Sequence, residues 1–120
     1  MPEIDVLIFR DADGTVPLLS WMDQVIPKLQ DKLLARIELL REKGHELRRP
    51  HADTLRDGIH ELRVKYFKEN YRILYFFHGR QAVLSHGLTK EAEVPDAEID
   101  LALKRRVAFE RNPERHTYRE

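Results

Sequence analysis

Residues 57–91 have the sequence DGIHELRVKYFKENYRILYFFHGRQAVLSHGLTKE, and this stretch decides the fold of the chain. It contains three runs of strand-forming character, at residues 59–66, 71–78 and 81–88, in which branched and aromatic side chains are frequent. The polar pair Gly79–Arg80 joins the second run to the third and is typical of a tight hairpin turn. The pattern therefore predicts an antiparallel meander of three strands.

The N-terminal part of the chain predicts one strand followed by two helices. Residues 4–10 form an apolar run that suits a strand, and Asp-Ala-Asp-Gly at residues 11–14 predicts a turn after it. A short helix is expected to end near Gln24, and a longer one spans residues 27–43. The longer helix carries its apolar residues on one face, at Leu29, Leu33, Ile37 and Leu40. Residues 15–44 thus form a helical hairpin, and residues 45–56 are predicted to be a polar connection.

A last helix begins at Pro95, and its apolar stripe consists of Ile99, Ala102, Leu103 and Val107. The predicted order is β-α-α-β-β-β-α, which is an α+β fold. We expect the helical hairpin and the C-terminal helix to pack on a small, mostly antiparallel sheet. Residues 1–112 are assigned to a single domain, and residues 113–120 to a charged, flexible tail.

The charges are balanced over the whole chain but unevenly distributed. The 120 residues include 21 Lys and Arg against 21 Asp and Glu. Residues 41–80 hold ten of the cations and six of the carboxylates, a net charge of +4. This distribution favours a local anion site over a surface that coats nucleic acid.

The absence of cysteine, of a signal peptide and of a long apolar run indicates a cytoplasmic protein without a membrane partner.

The candidate site lies on the meander. Glu61, Arg63 and Lys65 alternate with Leu62 and Val64, so the charged residues share one face of their strand. Arg72, on the next strand, shares its face with Leu74 and Phe76. If the two strands pair suitably, Arg63 and Arg72 could hold a phosphate diester, and Glu61 could take a proton from a ribose 2′-OH. The alternative is an exposed face that simply carries charges, with Glu61 paired to an arginine.

Other motifs that carry chemistry are scarce. The six histidines are scattered, so neither a metal site nor a cofactor is expected. His86, at a strand end near Lys90, is the one histidine that we consider as a proton donor. The alternative is that it is simply a solvent-exposed histidine at a strand end. The aromatic residues of the meander are mostly expected in the core. Tyr66 and Phe67, in a polar turn, are the pair expected to be exposed, where they could stack on bases.

Four motifs in order, GIHELRV, NYRILYFF, LSHGLTKE and VPDAEIDLALKRR, give the chain a family resemblance. It resembles the phage-derived, HigB-like branch of the RelE/ParE toxin superfamily. The match extends from about residue 55 to residue 106, and the helix of Trp21 and the GHELRRP connection agree with it. The resemblance implies a RelE-like fold.

This resemblance implies a toxin of a type II toxin–antitoxin module, an endoribonuclease that cuts messenger RNA on the ribosome. In RelE-like enzymes basic residues bind the scissile phosphate, and the 2′-OH attacks it without a metal. By position, Arg63 and Arg72 match basic residues of two strands. Glu61 matches a place where some members have lysine and others a glutamate proposed as base. Lys65, Arg80 and Lys90 are then expected to contact RNA or the ribosome.

Two features depart from the family pattern. A pair of lysines is reduced to Thr89-Lys90, and no aromatic or histidine proton donor is evident near the chain end, where His116 and Tyr118 lie beyond the last helix. The implied partners are a helix-turn-helix antitoxin, the ribosome and messenger RNA. Two alternatives remain: a ParE-like toxin that inhibits DNA gyrase without cutting RNA, and a degenerate member that only binds its antitoxin.

Overall fold

The structure is a computed structural model that describes residues 3–89 and 92–119. Its elements are β1 (Asp5–Ile8), α1 (Pro17–Met22), α2 (Pro27–Lys43), a short 3-10 helix (Gly44–Glu46), β2 (Ala52–Thr54), β3 (Ile59–Tyr66), β4 (Glu69–His78), β5 (Gln81–Thr89) and α3 (Asp96–Arg111). The predicted α+β fold and the meander β3-β4-β5 are confirmed. One strand, β2, was not expected.

The five strands form one sheet in the order β1-β5-β4-β3-β2. β1 runs parallel to β5, and every other neighbouring pair is antiparallel. β2 lies in the predicted polar connection and pairs with residues 60–62 of β3. Of its three residues, Ala and Asp are depleted in strands, and a run of three is too short to show a period of two.

Helices cover both faces of the sheet. On one face α1 and α2 pack over Leu62, Val64 and Ile73, and on the other α3 packs over Ile59, Leu74 and Phe76. Alternate residues of β3 and β4 thus enter two separate cores. In α3, Ile99 and Ala102 are buried as predicted. Val107 is exposed instead, and Phe109 fills the core.

Residues 113–119, expected to form a flexible tail, contact the start of the chain in the structure. Thr117 forms a bridge with Phe9, and the backbone N–H of Tyr118 donates to the carbonyl of Ile8 at 2.8 Å. His116 is buried, stacks on Phe9 and contacts the carbonyl of Arg10 through Nδ1 at 2.8 Å. The segment thus supplies hydrogen-bond partners for backbone groups at the outer edge of the sheet, next to β1. Within the described ranges, none of the helices combines the length and the hydrophobicity that a bilayer-spanning segment needs.

Candidate functional site

β3 and β4 hold one carboxylate between two arginines. Arg63 and Arg72 are direct cross-strand partners and therefore lie on the same face of the sheet, with Glu61 two residues along β3. Arg72 Nε lies 2.7 Å from Glu61 Oε1, and Arg63 Nε lies 4.0 Å from Glu61 Oε2. Glu61 and Arg72 are 6% and 8% exposed, whereas 36% of the Arg63 side chain is exposed. The three side chains form the Glu61–Arg63–Arg72 cluster.

The cluster lies where the apolar core beneath α3 ends. Ile59 and Leu74 are its buried neighbours along the strands, and Leu88 of β5 lies opposite Arg72. Two arginines placed directly opposite each other would repel, and a carboxylate between them offsets that repulsion. This explains why a glutamate follows the apolar Ile59 on the same face, at a position that would otherwise suit a core residue.

Burial is the largest influence on the ionisation of Glu61. It raises the pKa of this carboxyl above its ordinary value of 4.5, while the charges of Arg72 and Arg63 act in the opposite direction. A raised pKa brings the carboxylate closer to the basicity that proton transfer at neutral pH requires. The guanidinium groups orient the carboxylate, and its burial makes it more basic.

The cluster opens into a cleft of about 570 Å³. The described residues that line the cleft are Arg49, Asp53, Thr54, Leu55, Arg56, Glu61, Arg63, Arg72, Ala92, Glu93, Val94, Asp96 and Ile99. Two arginines at the rim of the cleft form ion pairs with carboxylates. Arg49 pairs with Asp53 at 2.6 Å, and Arg56 pairs with Asp57, Asp96 and Asp100. The cleft is therefore a mixed-charge pocket and not a broad cationic surface.

Residues 20–107 match the profile of a protein family described as phage-derived protein Gp49-like (DUF891). The chain belongs to this family. The Gp49-like family is of RelE/HigB-like toxin type, and its members are often toxins of toxin–antitoxin modules. A comparison with curated proteins found no significant match. The matched range begins in α1 and ends in α3, so it contains the whole cluster.

Two of the remaining predicted site residues of this Gp49-like protein, Lys65 and Arg80, are placed by the structure. Lys65 is exposed two residues beyond Arg63, on the same face of β3. Arg80 lies in the β4–β5 turn, roughly 25 Å from Arg72 along β4, beside Glu3 and Arg41. Lys90 lies outside the described residues. The structure therefore brings together Glu61, Arg63 and Arg72, and it does not bring Arg80 to them.

His86 corrects the expectation of an exposed strand-end histidine, because it is buried beneath α3. Its Nε2 lies 3.0 Å from Glu98 Oε1, and its Nδ1 lies 2.7 Å from Ser85 Oγ, which also contacts Arg105. Burial, followed by the charge of Arg105, lowers the pKa of His86 below 6.5. A neutral imidazole satisfies these contacts by donating from Nε2 to Glu98 and accepting at Nδ1 from Ser85. His86 does not line the cleft of the cluster.

Sequence reasoning missed the rim of the cleft. Arg49 and Asp53 belong to the predicted polar connection, and Arg56 reaches Asp96, forty residues later in the chain. The i, i+4 spacing of Arg49 and Asp53 was a visible signal for the first of these pairs. The contacts of Arg56 depend on where α3 crosses the sheet, and no local pattern reports that.

Proposed function

We propose that this protein is the toxin of a type II toxin–antitoxin module and that it cuts messenger RNA on the ribosome. The observation that carries the proposal is the buried carboxylate of Glu61, held between two guanidinium groups at the border of a cleft. Membership of a RelE/HigB-like toxin family supports the same reaction class. The proposed reaction is attack of a ribose 2′-OH on the adjacent phosphate without a metal ion.

Arg63 is proposed to bind the scissile phosphate. It is the more exposed of the two arginines, and its contact with Glu61 is the longer one, 4.0 Å against 2.7 Å. Its planar guanidinium can turn towards two phosphate oxygens and stabilise the negative charge that develops on them. Lys65, exposed on the same face, is proposed as an auxiliary contact with RNA.

Glu61 is proposed to act as the general base. Its carboxylate takes the proton of the 2′-OH while the 2′-oxygen attacks phosphorus and the bond to the 5′-oxygen breaks. When a phosphate engages Arg63, that arginine neutralises Glu61 less, and the pKa of the carboxyl rises further. Substrate binding would thus strengthen the base at the moment when it is needed.

Arg72 is proposed as a positioning residue. It is buried and lies 2.7 Å from Glu61, so it fixes the carboxylate in the cleft and compensates its charge. His86 is engaged by Ser85 and Glu98 beneath α3, and for this reason we do not assign it the proton of the leaving group.

A second function, binding of an antitoxin without cleavage, is favoured by one observation. Arg49 and Arg56 are engaged by carboxylates at the rim, so much of the cationic charge of the cleft is compensated within the protein. Such a protein would keep the family fold without the affinity for RNA that cleavage requires. The gyrase-inhibiting alternative has no such observation in its favour and is separated by the same experiment.

The experiment is induced expression in bacteria of wild type, Glu61→Gln, Arg63→Gln and the control Arg41→Gln. Arg41 is a matched control because it is 40% exposed, is paired with Glu38 and Glu3, and lies away from the cleft. Wild type and Arg41→Gln should arrest translation and leave ribosome-dependent cuts that end in a 2′,3′-cyclic phosphate. Arg63→Gln should reduce cleavage by about 10²-fold or more, and Glu61→Gln by about 10²–10⁴-fold.

Three other results would each contradict the nuclease. Cuts that persist undiminished in Glu61→Gln and Arg63→Gln would remove the cluster from the reaction. A DNA-damage response without cuts would indicate gyrase inhibition. Absence of toxicity in all four proteins, with an antitoxin still bound, would indicate the binding function.

A further inference from the structure

The tip of the β3–β4 hairpin combines an unfavourable backbone with an exposed aromatic ring. Phe67 and Lys68 form a two-residue loop between Tyr66 and Glu69, which are cross-strand partners. Phe67 has φ +55°, a conformation that hairpins of this kind usually give to glycine. Its side chain is 82% exposed. Neither local conformation nor burial in the fold therefore accounts for a phenylalanine at this position.

Phe67 borders an apolar groove of about 490 Å³ between the hairpin and the α1–α2 corner. The described residues that line it are Trp21, Gln24, Val25, Ile26, Leu29, Tyr66, Phe67, Glu69, Tyr71 and Thr89. Trp21 packs against Tyr71 and lies so close to Gly87 that any side chain there would collide with the indole. Ile26 is 54% exposed at the opposite wall. An apolar groove with two large exposed side chains at its edges is typical of a protein-binding surface.

Exposed lysines lie near the hairpin side of this groove. Lys32 Nζ lies 5.9 Å from the centre of the Tyr66 ring, and Lys68 follows Phe67 in the hairpin loop. Lys28 lies one helical turn before Lys32, and all three lysines are exposed. Among the described residues that line the groove, Glu69 alone carries a charge. The rim therefore complements a ligand that is apolar in the middle and acidic at its edges.

The groove lies on the α1–α2 face of the sheet, opposite the face of the Glu61–Arg63–Arg72 cluster. A ligand can therefore occupy it without entering the cleft. The aliphatic walls formed by Val25, Ile26 and Leu29 suit aliphatic side chains better than stacked bases. The Phe67 ring also meets Tyr66 edge to face, at 73°, and does not extend a flat stacking platform.

We infer that this groove docks a segment of the antitoxin that presents aliphatic or aromatic side chains flanked by carboxylates. The identity of the partner as an antitoxin rests on the proposed function, whereas the chemistry of the docked segment is inferred from the residues of the groove. Docking at Phe67 and Ile26 anchors the antitoxin on the face away from the cleft, and the lysines bind its acidic residues.

The test measures binding of the full chain to the helix-turn-helix protein encoded beside its gene, by calorimetry at two salt concentrations. Phe67→Gly and Ile26→Ser should each weaken binding by about tenfold or more. The matched control is Leu34→Ser, because Leu34 is also 54% exposed but lies outside the groove. It should change binding by less than about twofold. Thermal melting of Phe67→Gly should show unchanged or increased stability, since glycine suits the positive φ.

The rim is tested separately with the double variant Lys32→Glu and Lys68→Glu, against Lys104→Glu on α3 as control. The rim variant should weaken binding and reduce its dependence on salt, and the control should do neither. If binding by wild type and groove variants is equal, or if wild type binds no such protein, the docking proposal is wrong. It is also wrong if the groove variants impair only RNA cleavage, or if they abolish self-association of the chain without affecting the antitoxin.

A cleavage assay on messenger RNA with the same proteins distinguishes failure of the docking proposal from failure of the nuclease proposal. A chain that binds the antitoxin through the groove but cuts no RNA would overturn the nuclease and support the docking surface. A chain that cuts RNA, and whose groove variants bind the antitoxin as wild type does, would overturn the docking surface and support the nuclease.

Discussion

The two faces of the β3–β4 ribbon use the same two strands for opposite purposes. On the α1–α2 face, Leu62, Val64 and Ile73 are buried among other apolar side chains. On the α3 face, at the alternate positions of the same strands, Glu61, Arg63 and Arg72 lie at the border of the core. The comparison shows that one pair of strands can carry an apolar core on one face and a charged cluster at the border of a second core on the other.

The two faces also differ in what a substitution should do. On the apolar face stability comes from area removed from water and from close packing, so losses scale with the volume removed. On the charged face the ion pair contributes little net stability, but loss of one partner leaves the other buried and uncompensated. The predictions below test this difference, beginning with the largest effect.

Arg72→Ala should have the largest effect, because it removes the nearer cationic partner of the buried Glu61 carboxylate. We expect a loss of about 3–5 kcal/mol in the free energy of unfolding, measured by urea denaturation, together with loss of RNA cleavage. The control is the double variant Glu61→Leu with Arg72→Met, which removes both charges at similar volume. It should recover most of the stability and none of the cleavage. Equal destabilisation in the single and double variants would show that the pair is not what stabilises this face.

Ile73→Ala should destabilise the protein without removing its activity. Ile73 follows Arg72 in β4 but is fully buried on the opposite face. We expect a loss of about 2–5 kcal/mol, the range for large-to-small substitutions in a core. Cleavage per folded molecule, measured below the melting temperature, should stay at the wild-type level. A loss of cleavage beyond the unfolded fraction would mean that the two faces are coupled more strongly than their separate cores imply.

The sequence predicted the cores better than it predicted the charged site, and the reason is physical. Alternation along β3 and the i, i+4, i+11 spacing of Leu29, Leu33 and Leu40 report burial directly, and these residues are buried as expected. The same alternation placed Glu61, Arg63 and Lys65 on one face. It could not give the register, which makes Arg72 the partner of Arg63.

Contacts between distant segments were not predictable. His86 looked exposed because it lies near a strand end, but it is covered by α3 and contacts Glu98 of that helix. The segment after Asn112 looked flexible because it is charged, yet its backbone bonds to Ile8 at the end of β1 and to Arg10 just after it. In each case the deciding partner lies on an element whose position depends on the whole fold. Local propensity and periodicity carry no information about it.

The smallest predicted effect is a pH dependence that originates at His86 on the α3 face. Because burial and Arg105 lower its pKa below 6.5, the unfolded chain binds this proton more readily than the folded one. Stability should therefore be full above about pH 6.5 and fall as the pH drops towards the folded-state pKa. His86→Gln should flatten this decline, in urea titrations between pH 7.5 and pH 5.

The control for this prediction is His60, on the opposite face of the sheet, whose pKa is also lowered by burial. His60→Gln should remove a separate part of the same decline. Glu61 acts with the opposite sign, because a raised carboxyl pKa favours the folded state as the pH falls, so the effect must be taken as the difference between each variant and wild type. Parallel curves for His86→Gln and wild type would mean that the imidazole beneath α3 is not held neutral by its surroundings.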